Sequence, residues 1–229
     1  MEEGQTGKTK EGKKKISKKD KLEKSVSWII VIILISILII VAIFFIRQKF
    51  FGPTFEYNGY EVTRVRPEGT TVTMYVLRTP VRIYASTQIY YSNLRYDPRE
   101  LKDIPVEETT REVLLDPKPT QVYLTFDPDA EDKGHIALSM NEVARILGTS
   151  GLFLLPVSTG VTKEVEGLEE KKITCDNSNE SVPVIDFRYG DETKIYVDET
   201  YWRCIVVQGK DKDEMVRSGN KLVLTILGI

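Results

Sequence analysis

The chain is poor in the residues that most often carry catalysis or hold metals. It has one histidine, His135, and two cysteines, Cys175 and Cys204, in 229 residues. That is too few nitrogen and sulfur ligands for a zinc site. A histidine-dependent triad would have to use His135. No G-x-S-x-G, H-E-x-x-H or phosphate-binding glycine loop occurs. Serines such as Ser158 in PVSTG have no base assigned by any motif and read as loop serines. An excess of one charge sign is lacking too, since the formal net charge is −2.

Against these absences stands one apolar run. Trp28 to Ile46 reads WIIVIILISILIIVAIFFI, nineteen residues with no charge, Pro or Gly and with Ser36 as the one polar side chain. At about 1.5 Å per residue, a helix of this length spans roughly the ~30 Å hydrocarbon core of a bilayer. The run exceeds the apolar region of a signal peptide, and AIFFIRQKFF offers no small-x-small cleavage site. The sequence therefore predicts an uncleaved signal anchor, a single-pass membrane protein with a transmembrane helix over 28–46.

Residues 1–27 carry nine lysines against five acids, whereas the linker 47–54 has only Arg47 and Lys49. The lysine-rich side of a span faces the cytoplasm. This predicts a disordered cytoplasmic tail and an extracytoplasmic domain, 55–229, at the cell membrane. Lys13, Lys14, Lys15, Lys18, Lys19, Lys21 and Lys24 are the candidates for contact with anionic head groups, at about 1 kcal/mol each. The plainer alternative is a solvated topology signal. The tail has no aromatic ring to stack on a base, so no nucleic-acid partner is expected.

Beyond the anchor and its flanks, 21 basic residues face 29 acidic ones. An acidic outer domain is a poor partner for nucleic acid or another polyanion. Its length, about 180 residues, suffices for one sizeable core or two small ones, 55–160 and 172–229. Two thiols in an oxidising compartment most often pair, which makes Cys175–Cys204 a candidate disulfide. Two independent buried cysteines are the alternative, because RCIVVQG reads as a core strand. Asn179 opens the triplet Asn179-Glu180-Ser181, a candidate glycosylation site in an exposed loop.

Patterning predicts an α+β fold. Phe55 to Val65 reads as strand, turn at Asn58-Gly59, strand. Thr70 to Ser86 is rich in β-branched and aromatic residues, interrupted at Thr79-Pro80 as at a hairpin corner or edge. Gln88 to Leu94 extends this β region. Asp97-Pro98 reads as a capped helix start, and 107–115 as a second short helix. Further strands are expected over 121–126, 152–157, 182–189, 194–198 and 202–208. Two longer helices follow capping-box patterns, Ser139 with Glu142 and Asp211 with Glu214. The first ends at Gly148 and starts as early as Ile136. The expected architecture packs helices on one face of a mainly antiparallel sheet.

The closing stretch CIVVQGKDKDEMVRSGNKLVLTILGI, with DPRELKDIPV and VYLTFDPD, resembles archaeal membrane-anchored proteins of unknown function. Those proteins pair a Lys-rich start and one span with an α+β outer domain. The resemblance implies compartment and architecture and carries over no functional residue.

The densest polar cluster is FDPDAEDKGH. Asp127, Asp129, Glu131 and Asp132 would offer oxygen ligands to Ca²⁺, but the spacing is not that of an EF-hand and Pro128 limits convergence of the first two. A solvated acidic turn ahead of a helix is the alternative, and otherwise no cofactor is expected. Asp127 and Asp129 are also the first candidates for a carboxylate pair in glycoside hydrolysis. Tyr84, Tyr90, Tyr91 and Tyr96 would form a binding surface or be half-buried strand residues. The functional expectation is a tethered extracytoplasmic domain without catalysis that binds another membrane or envelope protein. The alternative is an anchored carboxylate-dependent hydrolase acting on envelope polymers.

Overall fold

The computed structural model describes residues 18–51, 53–83, 86–167 and 171–229. The chain divides into two units, Met1–Gly52 and Pro53–Ile229.

In the first unit, α1 (Lys18–Phe51) is one helix. Its stretch Trp28–Phe45 is wholly unburied, and long and apolar enough to cross a membrane. The helix begins well ahead of Trp28, so Lys18, Lys19, Lys21 and Lys24 lie on it. Lys, Glu and Leu favour helix, and extending an existing helix costs far less than nucleating one. Lys13, Lys14 and Lys15 lie outside the described residues.

The second unit opens with an antiparallel sheet in the order β1 (Thr54–Tyr57), β2 (Tyr60–Val65), β3 (Met74–Ile83), β4 (Ser86–Leu94). Asn58 and Gly59 take φ values of 48° and 83°, as a two-residue hairpin turn requires. The expected break at Thr79-Pro80 is absent. Pro80 pairs with Ile89 of β4 alone, beyond the end of β2, so its missing N–H removes no ladder bond on the other side. Asp97 caps a 3-10 turn, Pro98–Leu101, accepting the Arg99 backbone N–H at 2.9 Å. The short helix α2 (Thr110–Leu115) follows.

The second sheet comprises β5 (Val122–Phe126), β6 (Val157–Val161), β7 (Val184–Tyr189), β8 (Lys194–Val197) and β9 (Cys204–Gly209), with α3 (Lys133–Leu147) and α4 (Lys212–Leu227). Its order is β6-β5-β7-β9-β8, and every pairing is parallel except β8 with β9. The expectation of a mainly antiparallel sheet therefore holds for the first sheet and fails for the second. VYLTF, VIDFRY and CIVVQG are near-continuous buried runs, as in sheets covered on both faces. β5 pairs directly with β7, which joins the strands of the two halves in one sheet and makes one unit of them.

Two local expectations shift. Leu152 to Leu155 form no strand. The backbone N–H groups of Leu152 and Phe153 donate to Ile146 O and that of Leu155 to Leu147 O, satisfying carbonyls that the end of α3 leaves open. Ser139 is no cap either, since α3 begins at Lys133. It is buried mid-helix, with its hydroxyl 3.0 Å from His135 O and 2.9 Å from Met215 O of α4. Asp211 does cap α4, accepting the Glu214 N–H at 2.9 Å, and Gly228 ends that helix with φ 76°. The two helices pack on each other and touch β4 of the first sheet and β5, β7 and β9 of the second. One apolar core runs through both sheets and the helix pair, from Val62 and Leu77 to Ile185 and Val207.

Candidate functional site

From β5 the chain passes through α3 to β6 on one side, while β7 and β9 stand on the other. In open α/β sheets, ligands bind outside the carboxyl ends of strands at such a reversal of strand order. Two adjoining clefts, of about 600 and 630 Å³, lie here. Asp127, after the last residue of β5, and Arg188 and Tyr189, at the end of β7, line both. Asp186, Asp198, Tyr201 and Thr174–Asp176 complete the first. Ala130–Asp132 and Lys210–Lys212 complete the second.

The Asp127-Pro128-Asp129 turn is held by one cation. Lys163 Nζ stands 2.9 Å from Asp127 Oδ2 and 3.2 Å from Asp129 Oδ2. Asp127 Oδ1 accepts the Asp129 backbone N–H at 2.9 Å. Pro128 thus does not stop the two carboxylates from converging on an ammonium. The hydrogen bond from Lys163, with the Asp129 N–H, holds the Asp127 carboxyl below its ordinary range. Glu131 is exposed, and Asp132 precedes α3 in the left-handed region with φ 53°. Among the described residues no three His, Cys, Asp or Glu side chains stand close enough to hold a metal ion. The four carboxylates proposed for Ca²⁺ are not gathered into one ligand set.

Alternation along β7 sends Ile185 and Phe187 into the main core and leaves Asp186 and Arg188 on the other face. Val184, on that same face, joins a small apolar cluster with Ile173, Cys175 and Cys204. The Asp186 side chain is only 6% exposed. Its Oδ2 pairs with Arg188 Nη2, while its Oδ1 is buried and has no hydrogen-bond partner among the described residues. Burial pushes this carboxyl up, and the charges of Asp127 and Asp198 add to the push, against the pull of Arg188. Asp198 Oδ1 accepts the N–H groups of Thr200 and Tyr201, each at 3.0 Å.

Cys175 and Cys204 are bonded, with Cα atoms 5.2 Å apart. Both are buried, and the bond replaces the alternative of two independent core cysteines. The bridge fastens the segment around Cys175 to β9, and Thr125 Oγ1 donates to Ile173 O at 2.7 Å beside it. Asn179 is exposed, with its Oδ1 accepting the Ser181 N–H at 3.1 Å. His135 opens α3 and Ser158 accepts from Gln121 Nε2 at 2.9 Å, and neither lines a cleft wall. Tyr84 lies outside the described residues; Tyr90 donates to Arg145 O at 2.9 Å, Tyr96 is half-buried, and Tyr91 is exposed. Tyr90, Tyr91 and Tyr96 line neither cleft.

Sequence reading pointed to Asp127 and missed Asp186, Arg188, Asp198 and Tyr201. One signal was present: VIDFRY places an acid and a base two apart inside an otherwise apolar strand. Two residues apart on a strand is one face, so a carboxylate and a guanidinium side by side follow from spacing. Comparison with protein-family models, curated proteins and solved structures returns no match.

Proposed function

We propose that this chain is a membrane-tethered, extracytoplasmic domain that binds a ligand or partner in the cleft at the carboxyl ends of β5 and β7. Asp186, which lines that cleft and whose buried Oδ1 has no hydrogen-bond partner among the described residues, carries the reading. A buried acceptor left open costs about 1–3 kcal/mol, a cost that a bound donor removes. Tethering is supported by α1 and by the lysine bias of residues 1–27. The Cys175–Cys204 bridge suits an oxidising compartment. The resemblance to archaeal membrane-anchored proteins accords with this arrangement. The partner this compartment offers is another membrane or envelope protein.

A photo-crosslinking residue at Tyr201, in the cleft, and another at Tyr91, outside it, tests the reading in native membranes. A recurrent adduct from position 201 and none from 91 supports it. No adduct from either rejects it.

One observation favours a second reading, an anchored carboxylate hydrolase. Asp127 and Asp186 face one cleft with their carboxyls shifted in opposite directions, the pattern of a base paired with an acid. Release of soluble fragments from envelope polysaccharide by the wild type, abolished in both Asp127→Asn and Asp186→Asn, would establish it. A wild type that releases nothing rejects it.

A further inference from the structure

We propose that the cleft between Asp127, Asp186, Asp198 and Tyr201 recognises an organic cation, a primary ammonium or guanidinium group. The inference rests on the cleft being a binding site and names the chemistry of what enters it.

Charge is the first argument. Asp127, Asp176, Asp186 and Asp198 line this cleft against one lining cation among the described residues, Arg188. Arg188 is committed to Asp186 Oδ2, and Lys163 to Asp127 and Asp129. Asp176 and Asp198 have no ion-pair partner among the described residues. The neighbouring cleft differs, with Lys210, Lys212 and Arg188 set against its carboxylates. Like charges held together raise each other's energy, and a cation entering between them relieves it.

The second argument is the open acceptor. Asp186 Oδ1 is buried and unpartnered, on a side chain 94% removed from solvent that forms part of the cleft wall. Such a group calls for an N–H donor. Third, Tyr189 and Tyr201 line the same cleft. Aromatic rings beside carboxylates suit a soft organic cation, attracted both by charge and by the ring face. A bare divalent ion is served less well, since no three ligating side chains converge among the described residues. The volume of about 600 Å³ leaves room for the apolar stem that carries an ammonium or guanidinium.

The test uses the full chain in detergent micelles, with Trp28→Phe so that Trp202, next to Tyr201, is the one reporting indole. Calorimetry and Trp202 fluorescence are followed with spermidine, Nα-acetyl-arginine amide, Ca²⁺, citrate and chitobiose, each alone. We expect binding of spermidine, the arginine amide or both, weakening as salt rises. Spermidine alone points to a free polyamine, and the arginine amide alone to a side chain offered by a protein partner. Asp186→Asn and Asp198→Asn should each weaken binding roughly tenfold or more. Asp103→Asn, at the Arg217 ion pair away from the cleft, should leave it unchanged. Binding of only citrate, chitobiose or Ca²⁺, lost in Asp198→Asn, overturns the cationic assignment and leaves the cleft a binding site. No binding of any probe, together with no adduct from position 201, overturns both.

Discussion

Asn220 of α4 donates its side-chain amide to Glu142 Oε2 of α3, and its own Oδ1 accepts the backbone N–H groups of Arg95 and Tyr96 at 2.7 and 3.0 Å. One buried side chain thereby joins both helices to the exit of β4. Arg95 Nε stands 3.2 Å from Glu142 Oε1, an ion pair without hydrogen-bond alignment. Burial drives the Glu142 carboxyl up to about 7, against the pull of Arg95 and Asn220.

Stability should therefore fall as pH rises through neutrality. The folded Glu142 carboxyl, at about 7, holds its proton more tightly than the unfolded one, near 4.5. Between those values the folded state binds more protons, so the contribution is complete below pH 4.5 and lost as pH passes 7. The separation corresponds to roughly 3 kcal/mol. Urea denaturation of wild type and Glu142→Gln at pH 5 and pH 8 should show the variant gaining on the wild type by up to that amount. A difference that does not change with pH would refute the assignment.

The Cys175–Cys204 bridge closes a loop of 29 residues in sequence separation. In the chain-entropy model such a closure stabilises by about 3.5 kcal/mol. Cys204→Ser, or reduction of the native chain, should lower the urea midpoint accordingly. An unchanged midpoint under reducing conditions would count against the bond as a stabiliser.

Gly219 of α4 meets Ser139 of α3, and a Cβ added there would stand 2.6 Å from Ser139 Cβ. Gly219→Ala would favour the helix locally by up to about 1 kcal/mol. Separating the two helices should cost more, about 1–3 kcal/mol. The expected result is a lower melting temperature, partly restored by adding Ser139→Gly.

Arg203 is fully buried, with the charges of Glu180 and Asp116 acting on its guanidinium. Its guanidinium donates to Asp116 O at 2.8 Å and Pro117 O at 3.1 Å, fixing the segment that leads into β5. Burial alone presses its pKa downward. Arg203→Ala removes two charge-assisted bonds and leaves a cavity, for a loss of roughly 3–5 kcal/mol. A loss under 1 kcal/mol by chemical denaturation would show that the segment holds without it.

Periodicity and end signals located most elements. The Asn58-Gly59 hairpin, the Asp97 and Asp211 caps and the terminal Gly228 are local chemistry, legible because a turn or helix end depends on a few adjacent residues. Ser139 misled because a buried hydroxyl between two helices uses the same residue type as a cap. Pro80 misled because its tolerance depends on where β2 ends, a fact of pairing and not of the strand itself.

By itself the sequence determined one apolar helix, an acidic α+β domain and the acidic Asp127 turn, since hydropathy, charge and capping are properties of neighbours along the chain. The tertiary structure alone decided the rest. Strand direction, the reversal of order at β5 and β7, and the meeting of Asp127 with Asp186 and Asp198 join residues up to 71 apart in number. No periodicity encodes such a meeting, because it arises when packing both faces of VIDFRY forces one carboxylate into the interior beside a cleft.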